Sequence, residues 1–516
     1  MTTLAGIWLS PAQLVGIGIV TIAICKLLQK RHSNLPPGPP ADPLIGHLRA
    51  FPSAQDQPEV FQAWGKLYGD VIYLRVAGND IIVVNSSKAA HEIFNDRRAN
   101  YSDRPVSRFW TLLGFHRLPA FRHYEKSLRD ARALMLDYYG SKPCQSLMPL
   151  QERSAYEVVH RLLEAPEDYH EILEASSSRF ILRSLYAYKA GGKDDLVVKA
   201  IRVVIDLVRE TSMSLNTVDL FPWLMYMPSW FPGMYWPNFV RKNKLELSRG
   251  HFDAGFDYVQ AEMAKGNVEA SFVSTQLSAI SPDVPSEEKS IIINNIKQTA
   301  AQLYTAGTET TSATIVTFLL AMIIHPEIQK RAQEDLDKVV GNERLPVFND
   351  RVDLPYLYYI ISELGRWHPV TPLGVAHASR EDDVYRGMFI PARSIIFANI
   401  KAMSLDESVY ENPTTFDPMR YAPIEEGGKS EPIFDDIFGF GARKCPGRFM
   451  VDNTLWITIA TILATCTLSK SIGEDGKEVT PKLEFTTASV RQINPFKFQM
   501  LPRSQQAMDL LQGAAN

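Results

Sequence analysis

The sequence predicts a mainly α-helical fold with a small β portion. From about residue 86 to about residue 340, apolar residues recur with helical spacing, and polar stretches separate the predicted helices. Alternation at residues 71–84, with a turn at 78–80, and a run at 394–399 indicate short strands. The first thirty residues differ sharply in composition from the rest and predict a separate transmembrane helix.

The composition is that of a large globular protein. The 516 residues are 45% hydrophobic and carry a formal net charge of −4, which does not indicate nucleic-acid binding. The four cysteines are widely spaced and include no C-x-x-C pair. This spacing argues against a disulfide framework or a zinc site and fits a reducing compartment.

The N-terminal segment combines an apolar stretch with a basic flank. Residues 4–25 are mostly apolar, and Lys26, Lys30 and Arg31 follow them. A helix of this length just crosses a hydrocarbon core of roughly 30 Å. A cleaved signal peptide is the alternative, but no basic segment precedes the apolar stretch. Because positive charge stays in the cytosol, residues 1–30 are predicted to anchor a cytosol-facing body.

A proline-rich segment separates this anchor from the body. Residues 35–40 read Leu-Pro-Pro-Gly-Pro-Pro, which cannot continue a helix and predicts a stiff hinge over residues 31–45. Residues 46–516 then form the main domain. Within it, residues 221–239 are rich in proline and aromatic side chains and predict either a lipid-facing substrate entrance or a core-packing loop.

The most informative segment is the glycine-rich run at residues 438–448, from which Cys445 projects. Glycines let a backbone turn tightly and approach a flat ligand. Backbone amides at the start of the next predicted helix, with Arg443, Lys444 and Arg448 nearby, would stabilise a thiolate, as a haem iron requires. A buried structural cysteine is one alternative, and a phosphate-binding loop is a weaker one, because Lys444 replaces the third glycine of G-x-G-x-x-G.

Two polar motifs lie on predicted helices. Residues 306–311 read Ala-Gly-Thr-Glu-Thr-Thr within a helical pattern at about 290–324, where glycine and threonine are locally unfavourable. The alternative to a functional role is a kinked helix with solvated polar residues. Glu363 and Arg366 are three residues apart on one helix face, which alone would be a weak surface pair.

These motifs together resemble the cytochrome P450 family. The family's haem-binding signature, F-x-x-G-x-R-x-C-x-G, is matched at every fixed position by Phe438, Gly441, Arg443, Cys445 and Gly447. The resemblance implies the cytochrome P450 fold, with residues 46–516 as a haem-thiolate catalytic domain. It also implies haem b as cofactor, Cys445 as the iron ligand and Phe438 as a haem contact.

The resemblance also assigns the two polar motifs. Ala306 and Gly307 would leave room for dioxygen, while Thr310 and Glu309 would be the catalytic hydrogen-bonding and proton-relay pair. Glu363 and Arg366 would form a buried triad with Arg420, the arginine of the family's F-x-P-x-R motif. Such a triad can satisfy its own charges, so we interpret it as structural.

The haem propionates would need cationic partners. By resemblance these are Arg443, His377, Arg129 and Arg132. The last two lie in a segment similar to the family's W-R-x-x-R helix, although Leu128 replaces the usual tryptophan. A solvated basic helix is the alternative for Arg129 and Arg132. Substrate contacts are expected from four regions that are variable in the family: residues 107–121, 303–306, 370–375 and 486–489.

The implied protein is a membrane-anchored eukaryotic enzyme of fungal secondary metabolism, similar to the O-methylsterigmatocystin oxidoreductase group. It would insert one oxygen atom from dioxygen into a hydrophobic small molecule, such as a terpenoid or polyketide. Electrons would come through a separate NADPH-cytochrome P450 reductase docking near Arg443, Lys444 and Arg448. The expected location is the endoplasmic reticulum membrane, with a single span and a cytosolic catalytic domain. A haem-thiolate isomerase or dehydratase and a non-catalytic haem-binding membrane protein are the alternatives.

Overall fold

The computed structural model describes residues 34–515 except 44, 192–194, 211–215, 229, 232–233, 235, 268 and 487–489. The predicted anchor, the first residues of the predicted hinge and most of the predicted substrate-contacting turn at 486–489 therefore lie outside the described residues.

The described part of the chain is mainly helical, as the sequence predicted. Its α-helices are α1 Gln57–Tyr68, α2 Ser87–Ala90, α3 Arg98–Tyr101, α4 Arg108–Leu113, α5 Lys126–Tyr139, α6 Met148–Glu164, α7 Tyr169–Tyr186, α8 Leu196–Glu210, α9 Thr217–Leu220, α10 Trp236–Glu246, α11 Gly255–Lys265, α12 Phe272–Ser278, α13 Ser286–Ile324, α14 Pro326–Val339, α15 Pro355–Trp367, α16 Ile400–Ser404, α17 Arg448–Thr465 and α18 Gln505–Ala515. Two further segments, His91–Asp96 and Leu247–Ala254, are π-helical.

The strands form three small sheets. They are β1 Val71–Val76, β2 Asn79–Val84, β3 His377–Ala378, β4 Asp383–Tyr385, β5 Met388–Ile390, β6 Ile395–Ala398, β7 Cys466–Ile472, β8 Glu478–Val479 and β9 Phe498–Pro502. The largest sheet has the order β1-β2-β6-β3, with β2 and β6 parallel and the other pairs antiparallel. The other two sheets pair β4 with β5, and order β8-β7-β9.

Two sequence predictions are right about the element but not about its boundary. The β1–β2 hairpin turns at Ala77-Gly78, one residue earlier than predicted, with φ of 48° and 88° at these two residues. Two successive residues of positive φ are typical of the two-residue turn that matches strand twist. The apolar run at residues 456–468 predicts a buried helix after Cys445, but α17 begins at Arg448 and gives way to β7 at Cys466.

Helix α13 organises the core. Its first half packs in one hydrophobic cluster with α4, α7 and α8, and its second half packs in another with α6, α15 and α17. Within the described residues, α13 is the one helix long and apolar enough to cross a membrane. However, 83% of its apolar 18-residue stretch is buried inside the protein. We therefore interpret it as a core helix.

Candidate active site

Cys445 lies near the end of a tight loop, the cysteine loop (residues 436–447), which precedes α17. Its backbone N–H donates to the Phe438 carbonyl over 2.7 Å, which closes the loop. Gly441 has a φ of +51°, and a Cβ there would lie 2.2 Å from the Phe94 carbonyl oxygen. The Gly441 N–H also donates to Asn95 Oδ1 over 2.7 Å. The π-helical segment His91–Asp96 thus holds the cysteine loop at a point where only glycine fits.

Four groups around the Cys445 thiol favour a negative sulfur, although the net effect of the surroundings is to raise its pKa. Burial raises the pKa of Cys445, whereas the Gly447 and Arg448 amides and the Arg132 and Arg448 guanidiniums lower it. Cys144 and Cys466 are fully buried among core residues, and burial raises their pKa values to about 11 and about 12. Of these three free cysteines, Cys445 alone is a residue that is not fully buried.

Arg443 is buried beside the cysteine loop. Its guanidinium donates to the carbonyl oxygens of Ser102 over 2.8 Å, Pro119 over 3.2 Å and Arg122 over 2.6 Å. Burial lowers the pKa of Arg443 to about 10. Because it is 9% exposed and makes three hydrogen bonds inside the protein, Arg443 is not available on the surface for a docking protein, in contrast to the expectation from the sequence.

Arg104 is a second buried arginine near Arg443, and the sequence did not predict it. It is 7% exposed and donates to the carbonyl oxygens of Ala120, Val375 and Ala376 over 2.6–2.9 Å. Burial and then the nearby guanidiniums of Arg443 and Arg132 lower its pKa well below the usual value. A single arginine in a loop has no periodic signal, so only its neighbourhood in the fold identifies it.

His377 and Arg132 complete the cation cluster, which also contains Arg104 and Arg443. His377 is buried at the start of β3, and its Nδ1 donates to the Tyr101 carbonyl over 2.8 Å. Burial and the Arg104 charge lower its pKa well below the usual value. Arg132, on α5, donates to the Lys444 carbonyl over 2.7 Å.

The charge of this cluster is unbalanced. Arg104, Arg132 and Arg443 lie within electrostatic range of one another, and Asp103 is the one carboxylate that acts on Arg104 and Arg443. Buried like charges destabilise one another unless an anion offsets them. The residues present therefore fit a group with two carboxylates, which is what the two propionates of haem supply.

The structure does not bring every predicted cation to the cluster. Arg129 is exposed, and Leu128, which replaces the family's tryptophan, is 2% exposed in the core. The assignment of Arg129 to a propionate remains a prediction. Phe438 is partly buried in the cysteine loop, where its carbonyl accepts from Cys445, and its contact with haem also remains a prediction.

The threonine-rich motif lies in the middle of α13. Thr310 Oγ1 donates to the Ala306 carbonyl over 2.9 Å, and Thr314 repeats the bond to Thr310. Such bonds from side chain to helix carbonyl were expected from the composition. Ala306 is exposed, Thr310 is partly buried and Glu309 is 6% exposed. Ala306 and Thr310 are four residues apart and therefore share one face of the helix.

Gly307 has a packing role. A Cβ at this position would lie 2.8 Å from Ile181 Cδ1 on α7. The missing side chain therefore allows α7 and α13 to approach closely. The role in dioxygen access that the resemblance implies for Gly307 stays a prediction.

The predicted charged triad is present and fully buried. Arg366 donates to both carboxylate oxygens of Glu363 over 2.8 and 2.7 Å, and Arg420 Nε donates to Glu363 Oε1 over 2.9 Å. All three side chains are 0% exposed. Glu431, which the sequence analysis missed, pairs with Arg420. Two carboxylates thus balance two guanidiniums, which makes burial of the group tolerable.

Gly365, within the same helix turn, touches the cysteine loop. A Cβ there would lie 2.6 Å from Ile437 Cδ1, in the short turn Asp436–Phe438. The sequence offered no reason for a glycine in a helix at this position. The structure supplies one, because the triad helix α15 and the cysteine loop are in contact there.

Comparisons with known proteins agree with this geometry. The family model for cytochrome P450 matches residues 36–500. Cytochrome P450 monooxygenase 136 of Postia placenta is 34% identical over 97% of this chain and 96% of its own length. Cytochrome P450 monooxygenase claR of Ampulloclitocybe clavipes is 33% identical over 96% and 92%, and ple1 of Rhodocybe pseudopiperita is 34% identical over 94% and 92%.

A solved structure shows the same fold. A zebrafish cytochrome P450, in a structure with abiraterone, superposes with a TM-score of 0.68 and 19% identity, over 87% of this chain and all of that one. Proteins of this family and fold hold a cysteine-ligated haem iron. The curated relatives are named monooxygenases, which favours oxygen insertion over an isomerase, a dehydratase or a non-catalytic role. The chain therefore belongs to the cytochrome P450 family and is a haem-thiolate monooxygenase of the fungal type.

Proposed function

We propose that Cys445 is the iron ligand and that Arg104, Arg132, Arg443 and His377 hold the propionates. The observation that carries this proposal is the position of Cys445, a residue that is not fully buried, beside a buried cluster with surplus positive charge. The bound haem would supply dioxygen activation, and the chain would supply the anionic sulfur that favours it. Backbone amides and two guanidiniums stabilise that sulfur.

Glu309 and Thr310 are the proposed proton-handling residues. The Thr310 hydroxyl donates its proton to the Ala306 carbonyl, one helical turn earlier. It can donate towards the open face of α13 only after it gives up this bond. Glu309, the adjacent residue, would then return a proton to the Thr310 hydroxyl. Both roles rest on the position of the two residues in α13 and on the family resemblance.

The substrate is proposed to be a hydrophobic fungal secondary metabolite such as a terpenoid or polyketide. Phe109, Trp110 and Leu303 belong to one buried apolar cluster, in the segments expected to contact substrate. Apolar side chains in these segments favour a hydrophobic ligand. The fungal relatives support this class.

A cytochrome P450 monooxygenase requires electrons from a redox partner. We propose NADPH-cytochrome P450 reductase, docking on the cysteine-loop face. Lys444 and Arg448 are partly exposed there, and the exposed Arg98 lies next to Gly441. These cations suit an acidic partner. Lys444 already pairs with Asp435, so docking would have to displace or share this ion pair.

A lipid-facing surface is proposed at residues 223–230. Trp223, Met225, Tyr226 and Trp230 are 50%, 39%, 84% and 79% exposed. Exposed aromatic side chains this close together indicate an interaction surface, and tryptophan and tyrosine favour the membrane interface. This exposure supports the lipid-facing entrance over a core-packing loop. It accords with a single-span anchor in the endoplasmic reticulum membrane and a cytosolic catalytic domain.

The first test is the carbon monoxide difference spectrum of the reduced protein. We expect a thiolate-type band for the wild type and for Cys144→Ala, which changes a buried core thiol. Cys445→Ala should lose that band. A thiolate-type band in Cys445→Ala would exclude Cys445 as ligand, and its loss in Cys144→Ala would show that the band reports core packing.

A further inference from the structure

Asp219 is a buried carboxylate that joins two distant segments. It lies on α9 and is 6% exposed. Its Oδ2 accepts from Ser107 Oγ over 2.9 Å, and its Oδ1 accepts from the Arg108 N–H over 2.6 Å. Ser107 is the N-cap of α4, and Arg108 is its first residue. A side chain from another part of the chain therefore satisfies the orphan donors at the start of α4.

Helix α4 is too short to fix its own position. It has six residues, far below the length at which a helix is stable alone. The Ser107 hydroxyl adds a cap by accepting from the Trp110 N–H over 3.2 Å. Phe109 stacks on Phe239 of α10, with ring centroids 5.9 Å apart. The position of α4 is thus set by Asp219 at its start and by aromatic packing along its face.

The segment after α4 reaches the haem-binding residues. Trp110 packs on Phe115, and Phe115 packs on Phe121, with centroids 4.5 and 5.8 Å apart. The Ala120 N–H donates to Gln302 Oε1 on α13 over 3.2 Å, and Arg443 donates to the Pro119 carbonyl. The segment 107–121 therefore contacts Asp219 at its start and contacts α13 and Arg443 at its end.

We infer that Asp219 is a positioning residue that fixes α4 and thereby the size of hydrophobic ligand that fits beside Phe109 and Trp110. The inference rests on the proposed function, which assigns these two aromatic residues to the segments that contact the substrate. Asp219 itself acts through α4 and belongs to neither the cysteine loop nor the cation cluster. Helix α9 immediately precedes the lipid-facing surface in the chain, so Asp219 also connects that part of the chain to α4.

The test compares two ligands that bind ferric haem iron through an imidazole nitrogen. Imidazole is small, and clotrimazole carries three aryl groups that must fit against α4. Spectral titration of the holoprotein should show clotrimazole binding about tenfold weaker in Asp219→Ala, because the donors at the start of α4 lose their buried acceptor. Imidazole affinity should change less than about twofold. Asp219→Asn keeps one acceptor oxygen for the Arg108 N–H but places an NH2 group where Oδ2 accepts from Ser107, so it should weaken clotrimazole less than Asp219→Ala and leave imidazole within about twofold of wild type.

Asp350→Ala is the matched control. Asp350 is 8% exposed and accepts from the Val347 N–H over 2.9 Å at the start of another short helix, whose Phe348 packs on the other core cluster. It should lower stability without changing the ratio of the two affinities. If Asp219→Ala yields no holoprotein, Ser107→Ala removes the hydroxyl bonded to Asp219 and should weaken clotrimazole about threefold.

The possible results distinguish the role of Asp219 from the proposed function of the protein. An unchanged affinity ratio in the Asp219 and Ser107 variants, or an equal change in Asp350→Ala, would overturn the role of Asp219 and leave the proposed function standing. A wild type without the thiolate-type carbon monoxide band would overturn the proposed function instead.

Discussion

Single side chains near the cysteine loop combine burial with several hydrogen bonds to backbone carbonyl oxygens. Arg443 and Arg104 each donate to three backbone carbonyl oxygens, so each guanidinium is held rigidly before any anion binds. Rigid donors lose little side-chain entropy when they receive a carboxylate. The sequence motif predicted Arg443, whereas Arg104 could be found only from the fold.

Thr310 should matter for coupling rather than for haem binding. We expect Thr310→Ala to retain the thiolate-type spectrum and to release severalfold more hydrogen peroxide per NADPH oxidised with a competent reductase, because the proposed proton donor is lost. Thr314→Ala is the control, since Thr314 makes the same 2.9 Å bond to a helix carbonyl one turn later. Equal peroxide yields from the two variants would remove Thr310 from the proposed mechanism.

At the scale of elements, the contact between α15 and the cysteine loop links the triad to the site. Gly365 leaves room for Ile437, one residue before Phe438. A glycine inside a helix costs about 1 kcal/mol in propensity relative to alanine. The close contact explains why the smaller residue is nevertheless favourable here.

Gly365→Ala should therefore disturb the loop although it improves helix propensity. The added methyl would lie 2.6 Å from Ile437 Cδ1, so the loop has to shift. We expect a lower fraction of thiolate-type signal per haem. Ile437→Val removes the clashing methyl, and the double variant should recover most of the signal. If Gly365→Ala alone has a normal spectrum and haem content, the contact does not constrain the loop.

At the scale of the whole molecule, the buried charges around Glu363 connect segments far apart in sequence. Arg366 donates to the carbonyls of Ser404 and Pro413, and Arg420 pairs with both Glu363 and Glu431. The Tyr421 hydroxyl donates to Glu363 Oε2 over 2.9 Å. Burial and the Glu363 charge raise the pKa of Tyr421, so this hydroxyl stays protonated.

Loss of Glu363 should destabilise the whole fold. Glu363→Ala leaves Arg366 and Arg420 buried with one carboxylate between them, a change that costs about 3–5 kcal/mol in comparable buried pairs. We expect little soluble holoprotein, measured as haem per protein and as thermal midpoint. Glu157→Ala breaks a surface pair with Arg153 and should cost less than about 1 kcal/mol. A thermal midpoint equal to wild type in Glu363→Ala would show that the triad is dispensable.

The sequence by itself determined the family, the fold class and the long helix α13. Each depends on a local pattern: the spacing around Cys445, the helical periodicity and the alternation in the hairpin strands. Local patterns can be recognised in a single sequence because the residues that form them belong to the same helix, strand or loop. Boundaries were less certain, as the early start of α17 shows, because helix ends depend on what the last turns pack against.

Only the tertiary structure decided which charges lie together. It added Arg104 to the cation cluster, Glu431 to the triad and Asp219 to the start of α4, and it removed Arg443 from the docking surface. These residues are far from their partners in sequence, and isolated polar residues have no periodicity. Whether such a charge is buried or solvated follows from packing alone, which is why the fold was needed to assign them.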